Sequence, residues 1–161
     1  MSDALAYLAD ELAELREQKL FRYPKVLTGQ QQARAVFDGR EVINLSSNNY
    51  LGLATHPRMI AAAAGAAQEF GAGSGAVRTI AGTMDIHVEL EKKIAAFKHT
   101  EAALVFQSGF TANAGTVAAV LGKDDMIISD ELNHASIIDG CRLSRATIKV
   151  FPHGDIDGLR K

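Results

Sequence analysis

Four leucines between positions 5 and 15 mark the first element of the chain. They recur at spacings of three and four residues, with charged side chains between them, which predicts an amphipathic helix. Ser2 or Asp3 is predicted to cap its start. A leucine stripe of this kind is typical of a face that docks on another surface.

The pattern changes after Pro24. Residues 33–37 and 42–45 are rich in apolar side chains and flank Asp38 and Gly39, a pair typical of tight hairpin turns. They are therefore predicted to form two short strands.

Two helices are predicted next. Pro57 begins the first, because proline is tolerated in a first turn, and the alanine-rich run continues to about Phe70, where Gly71 ends it. A second helix is predicted from about Ile86 to Lys98.

From residue 102 onward, apolar strands alternate with helices. Strands are predicted at 102–106, 126–129 and 147–151, helices are predicted to end near Val120 and Leu143, and a last helix is predicted to begin near Asp155. This alternation indicates right-handed crossovers and a parallel sheet covered on both faces, and hence an α/β fold. Because three strands make a thin sheet and the last helix has no terminating signal, the sequence is interpreted as part of a larger fold.

Composition and charge narrow the class of partner. The formal net charge is -2 and Lys and Arg are scattered, so no nucleic-acid partner is expected. The longest apolar stretch is shorter than the roughly 20 residues of a membrane span, and the acidic start does not resemble a signal peptide. We therefore expect a cytoplasmic protein without a membrane partner. Cys141, the single cysteine, excludes an internal disulfide and a multi-thiolate metal site.

The first candidate site is the segment QSGFTAN at 107–113, between a predicted strand and the following helix. Ligands of open parallel sheets bind beyond the carboxyl ends of the strands, where a helix amino terminus offers N–H groups to an anion. Gly109 lets the backbone approach a ligand, and Ser108 and Thr111 add hydroxyl groups. The segment fits an ordinary turn with a serine cap equally well.

The second candidate site is the segment SDELNHAS at 129–136, which occupies the equivalent place after the next strand. Because consecutive parallel strands end at one rim of the sheet, a phosphate near Gly109 and the imidazole of His134 could share a pocket. A lone histidine is more often a cap than a functional group, but this position favours a function.

A third segment, the glycine-rich stretch 71–75, resembles a dinucleotide fingerprint only superficially, because it follows a helix and not a strand. A flexible turn between helices is the preferred interpretation, although Arg78 could meet an anionic group. The sequence lacks the nucleophile elbow of the hydrolases, a P-loop and the spacing of metal ligands, so no metal is expected.

Four segments together resemble the α-oxoamine synthases, a family of pyridoxal-phosphate (PLP) enzymes. They are SSNNYLGL at 46–53, GAGSGAVRTIAGT at 71–83, QSGFTAN at 107–113 and SDELNHASIIDG at 129–140. The resemblance implies the PLP-dependent transferase fold of aspartate aminotransferase, fold type I. The chain would supply an amino-terminal helix and strand segment (1–55) and the first part of the large PLP-binding domain (56–161).

The resemblance also implies roles for individual residues. Ser108 and the backbone at Gly109 and Phe110 would hold the cofactor phosphate, and His134 would stack on the pyridine ring as a catalytic residue. Two further residues would contact the substrate: Asn48, near its carboxylate, and Arg22, which matches a family arginine only loosely.

The reaction implied by the family joins an amino acid to the acyl group of an acyl-CoA in a homodimer. The forms of segments 48–50 and 130–140 favour glycine C-acetyltransferase (2-amino-3-ketobutyrate CoA ligase), which uses glycine and acetyl-CoA. The second interpretation is 8-amino-7-oxononanoate synthase, which uses alanine and a pimeloyl thioester.

The Schiff-base lysine of the family lies beyond the matched segments, so the chain alone is expected to be inactive. Two interpretations of another class stay open. One is a short non-catalytic module or regulatory subunit of the same fold. The other is a nucleotide-binding module, which lacks a matching phosphate motif.

Overall fold

The computed structural model describes residues 4–160 as two compact units, the first ending at Gly73 and the second beginning at Ser74. The first unit opens with helix α1 (Ala6–Glu17), which confirms the helix predicted from the leucine spacing. The predicted caps Ser2 and Asp3 lie outside the described residues.

A small antiparallel sheet follows, with strands β1 (Leu27–Thr28), β2 (Arg34–Phe37) and β3 (Arg40–Ile43) in that order. The predicted hairpin of β2 and β3 is confirmed. Its turn residues both adopt positive φ, 49° at Asp38 and 76° at Gly39, as a two-residue hairpin turn requires. Strand β1 was not predicted, because its two residues are too few to show an alternating pattern.

The carboxylate of Asp38 ties this turn to the start of β1. It accepts a 3.0 Å hydrogen bond from the Val26 N–H and forms a 2.9 Å ion pair with Lys25. The Val26 N–H, followed by Lys25, holds the pKa of the Asp38 carboxyl below its ordinary value. The turn is thus fixed by its side chain as well as by its backbone angles.

Helix α2 (Pro57–Phe70) has the bounds that its sequence predicts. It follows a short 3-10 turn (Leu53–Thr55), and Nδ1 of His56 accepts a hydrogen bond from the Arg58 N–H at its start. Gly71 ends the helix with φ of 86°, a left-handed angle that glycine adopts without strain.

The second unit begins with an element that the sequence did not predict. A π-helical turn (Arg78–Gly82) follows the glycine-rich stretch and leads into helix α3 (Asp85–Lys98), which confirms the helix predicted at 86–98. Within the turn, the Gly82 N–H donates a 2.9 Å bond to the Val77 carbonyl.

The rest of the unit alternates helices and strands, in the order α4 (Gly109–Val120), β4 (Met126–Asp130), α5 (Ala135–Ser144), β5 (Thr147–Phe151) and α6 (Ile156–Arg160). Strands β4 and β5 pair in parallel, with Met126 opposite Thr147 and Asp130 opposite Phe151. The predicted parallel alternation is therefore confirmed for two strands.

The strand predicted at 102–106 is wrong, because none of these five residues is in a strand or helix. A strand exists only where a neighbour completes its hydrogen-bond ladder. Within the described residues, the parallel sheet contains β4 and β5 alone.

Helices α4 and α5 pack at very close range in this unit. Gly140 and Cys141 of α5 are both buried. A Cβ placed on Gly140 would lie 2.7 Å from the Asn113 carbonyl oxygen and 3.3 Å from Cα of Ala114. The glycine is therefore what lets the two helix backbones approach each other.

No helix within residues 4–160 has the length and apolar character needed to cross a bilayer. No group of three or more His, Cys, Asp and Glu side chains in that range could hold a metal ion.

Candidate functional site

Helices α4 and α5 both begin at the carboxyl end of the parallel strands. Helix α4 leads through a short turn to the start of β4, and α5 carries the chain from the end of β4 back to the start of β5. Each helix therefore runs opposite to the strands, and the amino termini lie at one rim of the sheet. In open parallel sheets this rim is where ligands bind.

The amino terminus of α4 carries hydroxyl and N–H groups of the kind that bind an anion. Ser108 is the N-cap, and its Oγ accepts a 3.1 Å bond from the Thr111 N–H. The hydroxyls of Ser108 and Thr111 lie 2.9 Å apart and share one hydrogen bond, which leaves the second hydroxyl proton for another acceptor. Gly109 and Phe110 follow at the exposed first turn, where helical N–H groups have no acceptor within the helix.

The amino terminus of α5 is capped by His134. Its Nδ1 accepts a 3.2 Å bond from the Ser136 N–H and lies 2.7 Å from the Ser136 Oγ. That hydroxyl also accepts a 2.9 Å bond from Nδ2 of Asn113 in α4. Side chains of the two helices are thus joined through Ser136, which is 1% exposed, whereas the His134 residue is exposed.

Asp130, the last residue of β4, links the loop that follows β4 to the loop that follows β5 through its carboxylate. Its carboxylate accepts bonds from the N–H groups of Leu132 (2.8 Å) and Gly154 (3.2 Å) and contacts Nδ1 of His153 at 3.0 Å. The Leu132 N–H, followed by His153 and Gly154, lowers the pKa of the Asp130 carboxyl. Sequence reasoning missed His153, because no local pattern links it to a residue 23 positions earlier.

We predict that Asp130 contributes to acid sensitivity. Its folded-state pKa is below the unfolded value, so its stabilisation is present above the unfolded pKa of about 4 and is lost as the pH falls through the folded pKa. Asp130→Asn should lower the urea midpoint at neutral pH and flatten its decline in acid. Urea unfolding across a pH series measures both effects.

Asp139→Asn is the matched control, because this carboxylate is half-exposed on α5 and contacts Arg142 at 3.3 Å. An acid decline of the same steepness in the wild type and in Asp130→Asn would contradict the prediction.

The anionic group that Arg78 meets is the carboxylate of Glu91 in α3. The guanidinium donates two bonds to it, of 2.9 Å and 3.2 Å, and the Glu91 Oε1 also accepts a 2.9 Å bond from the Val105 N–H. Arg78, followed by the Val105 N–H, lowers the pKa of the Glu91 carboxyl. The pair joins the π-helical turn to the segment that leads into Ser108.

The remaining predicted residues lie in the first unit. Asn48 is exposed, and its Oδ1 accepts a 3.1 Å bond from the Tyr50 hydroxyl. Arg22 is also exposed. Their contacts with a substrate stay predictions.

Comparison with known proteins identifies the family. The sequence model of "Aminotransferase class I and II" matches residues 40–161, which is most of the chain. The chain belongs to this family. The fold type I architecture predicted from the four segments is confirmed by this match and by a solved structure of the same fold. That structure is serine palmitoyltransferase from S. paucimobilis with PLP and myriocin bound. It has a TM-score of 0.83 and is 32% identical over 97% of this chain and 40% of the other.

Two curated members of the family are closer in sequence. The 8-amino-7-oxononanoate synthase of Symbiobacterium thermophilum is 58% identical over 96% of this chain, and that of Thermoanaerobacter pseudethanolicus is 56% identical over 98%. The chain spans about 40% of the length of either relative.

These names confirm the resemblance drawn from the sequence, since the synthase and serine palmitoyltransferase are both PLP-dependent α-oxoamine synthases. They support the oxononanoate synthase interpretation better than glycine C-acetyltransferase, which the sequence had favoured. The sequence preference rested on short segments shared across the family, and segments that family members share cannot discriminate between their substrates.

Proposed function

We propose that the chain is part of an 8-amino-7-oxononanoate synthase that condenses alanine with a pimeloyl thioester, using PLP as cofactor in a homodimer. The observation that carries the proposal is the pair of neighbouring helix amino termini at one rim of the sheet, one suited to a phosphate and the other bearing an exposed imidazole. The choice of substrates rests on the two synthases at 56% and 58% identity.

The α4 amino terminus fits the phosphate end of the cofactor. The helix dipole and the N–H groups of Gly109 and Phe110 favour an anion, and the Ser108–Thr111 pair retains one hydroxyl proton for a phosphate oxygen. A Cβ on Gly109 would meet nothing within 4 Å, so the space beside this backbone is open to a ligand.

His134 fits the ring end of the cofactor. Its Nδ1 accepts the Ser136 N–H at the cap of α5. The Nδ1 edge of the ring is therefore fixed, while the residue is exposed. A flat aromatic group held in this way can lie against a pyridine ring and fix its plane.

The cofactor, when bound, delocalises negative charge that develops at the α-carbon of the amino acid. The residues of this chain position it: the α4 terminus fixes the phosphate, and His134 fixes the tilt of the ring. In the first unit, Asn48 and Arg22 are proposed to contact the amino acid and acyl substrates.

The test uses the complete open reading frame that contains these 161 codons. We expect the purified protein to bind added PLP with visible absorbance and to release CoA fastest with alanine and pimeloyl-CoA. The rate should exceed that with glycine and acetyl-CoA roughly tenfold or more, because each additional buried methylene adds discrimination. Thiol release measures the rate with each of these two substrate pairs.

His134→Ala should reduce PLP binding. His99→Asn, which removes an exposed imidazole at the end of α3 and keeps a residue that tolerates the left-handed angle there, should leave PLP binding near the wild-type level. A preference for glycine with acetyl-CoA would overturn the substrate choice. A complete protein that binds no PLP would overturn the cofactor assignment and favour the non-catalytic module.

A further inference from the structure

Ser136 lies at the centre of a hydrogen-bonded chain that crosses from α4 to α5. Its hydroxyl oxygen is 2.9 Å from Nδ2 of Asn113 on one side and 2.7 Å from Nδ1 of His134 on the other, and its N–H lies 3.2 Å from the same Nδ1. Ser136 is 1% exposed, so the Ser136 side of these bonds is buried, whereas the His134 residue is exposed.

The protons in this chain have one consistent arrangement. A backbone N–H can only donate, so Nδ1 of His134 must present its lone pair to Ser136. The NH2 group of Asn113 likewise only donates, which occupies a lone pair of the Ser136 oxygen and leaves the hydroxyl proton for Nδ1. With the amide reversed, Asn113 would accept that proton and the hydroxyl oxygen would face Nδ1 with a lone pair only.

We propose that Ser136 and Asn113 are positioning residues that hold the His134 imidazole in one orientation and in the tautomer with its proton on Nε2. Two donors converge on Nδ1 from the buried side, and the second is aimed by an amide on the neighbouring helix. The exposed edge of the ring therefore always presents an N–H. The inference deepens the proposed function, in which this ring lies against the cofactor.

The tautomer can be read directly with 15N-labelled histidine, before any cofactor is added. We expect the Nδ1 signal of His134 to have the shift of a bare ring nitrogen and the Nε2 signal that of a protonated one. The His134→Asn variant assigns the signals. A proton on Nδ1 in the wild type would overturn the inference.

Two variants remove the hydroxyl bond in different ways. Ser136→Ala deletes the hydroxyl, and Asn113→Asp keeps the size of the side chain but replaces the amide donor by an acceptor, which draws the hydroxyl proton away from His134. In both variants we expect the two ring-nitrogen signals to move toward each other as the second tautomer becomes populated. Unchanged signals in both would contradict the role assigned to the hydroxyl.

Ser144→Ala is the matched control. Ser144 is a buried serine on the same helix, 5% exposed, and its hydroxyl donates to the Cys141 carbonyl and not to a histidine. This variant should leave the His134 signals as in the wild type. Circular dichroism establishes that each variant is folded, and a shift caused equally by Ser144→Ala would show a general packing effect and reject the specific one.

A second measurement separates this inference from the proposed function. In the complete protein, Ser136→Ala should weaken PLP binding about five-fold, the loss expected for one hydrogen bond. If the complete protein binds no PLP while the tautomer is fixed as described, the proposed function fails and the inference stands. If PLP binds equally well in the wild type and both variants, the positioning role is rejected and the proposed function stands.

Discussion

Replacing Gly82 by alanine is expected to destabilise the second unit by about 3 kcal/mol or more, since overpacking against backbone costs 1–3 kcal/mol and occasionally more. A Cβ at this position would lie 1.9 Å from the Ala76 carbonyl oxygen and 2.8 Å from the Val77 carbonyl carbon. Backbone atoms cannot rotate away as a flexible side chain can. The π-helical turn would therefore have to open, and urea unfolding should show the loss.

Gly65→Ala is the control for this substitution. Gly65 lies within α2, and a Cβ there would meet nothing within 4 Å, so alanine should stabilise the helix by about 0.5–1 kcal/mol. The same chemical change should thus have opposite signs at the two positions. A Gly82→Ala variant as stable as the wild type would contradict the close approach at this turn.

The opening of the π-helical turn should also disturb the pair of Arg78 and Glu91. Arg78 is the first residue of the turn, and its guanidinium holds the carboxylate that accepts a bond from the Val105 N–H. A substitution at Gly82 is therefore expected to displace the segment that leads into α4 as well. Gly82 therefore has a structural reason to be glycine that is independent of any ligand.

The parts of the fold that the sequence predicted well are those with local signals. Helix α2 runs from Pro57 to Phe70 as predicted, because proline fits a first turn and Gly71 accepts the left-handed angle after the last. The hairpin turn at Asp38 and Gly39 is equally local, since both residues tolerate positive φ. These signals need no knowledge of distant residues.

The parts that were missed depend on partners far along the chain. Residues 102–106 have the apolar composition of a strand, but a strand also needs a paired neighbour, which composition cannot reveal. The contact of Asp130 with His153 and that of Asn113 with Ser136 each join residues 23 positions apart. Sequence reasoning placed His134 and Gly109 at one rim from strand order alone, but it could not show that Ser136 joins their helices.

Gly140→Ala is expected to disturb the packing of α4 against α5 and, through that packing, the candidate site. Alanine inside a helix is ordinarily favoured over glycine by about 1 kcal/mol. Here the added Cβ would lie 2.7 Å from the Asn113 carbonyl oxygen, and overpacking of this kind costs about 1–3 kcal/mol. Because the atoms that this Cβ would meet are backbone, the steric cost lies in the upper part of that range, about 2–3 kcal/mol. It outweighs the helix propensity, so we expect a net loss of about 1–2 kcal/mol in urea unfolding.

The same substitution should also change the orientation of the His134 imidazole, although the new side chain does not contact it. Moving α4 away from α5 lengthens the 2.9 Å bond from Asn113 to Ser136, which releases the hydroxyl that orients the imidazole. The His134 ring-nitrogen signals of Gly140→Ala should therefore shift toward those of Asn113→Asp. Asp139→Ala, at the neighbouring half-exposed position of α5, should change stability by less than about 0.5 kcal/mol and leave these signals in place. If Gly140→Ala lost stability but kept the wild-type signals, the helices would separate without disturbing the imidazole, and close packing at Gly140 would serve the fold alone.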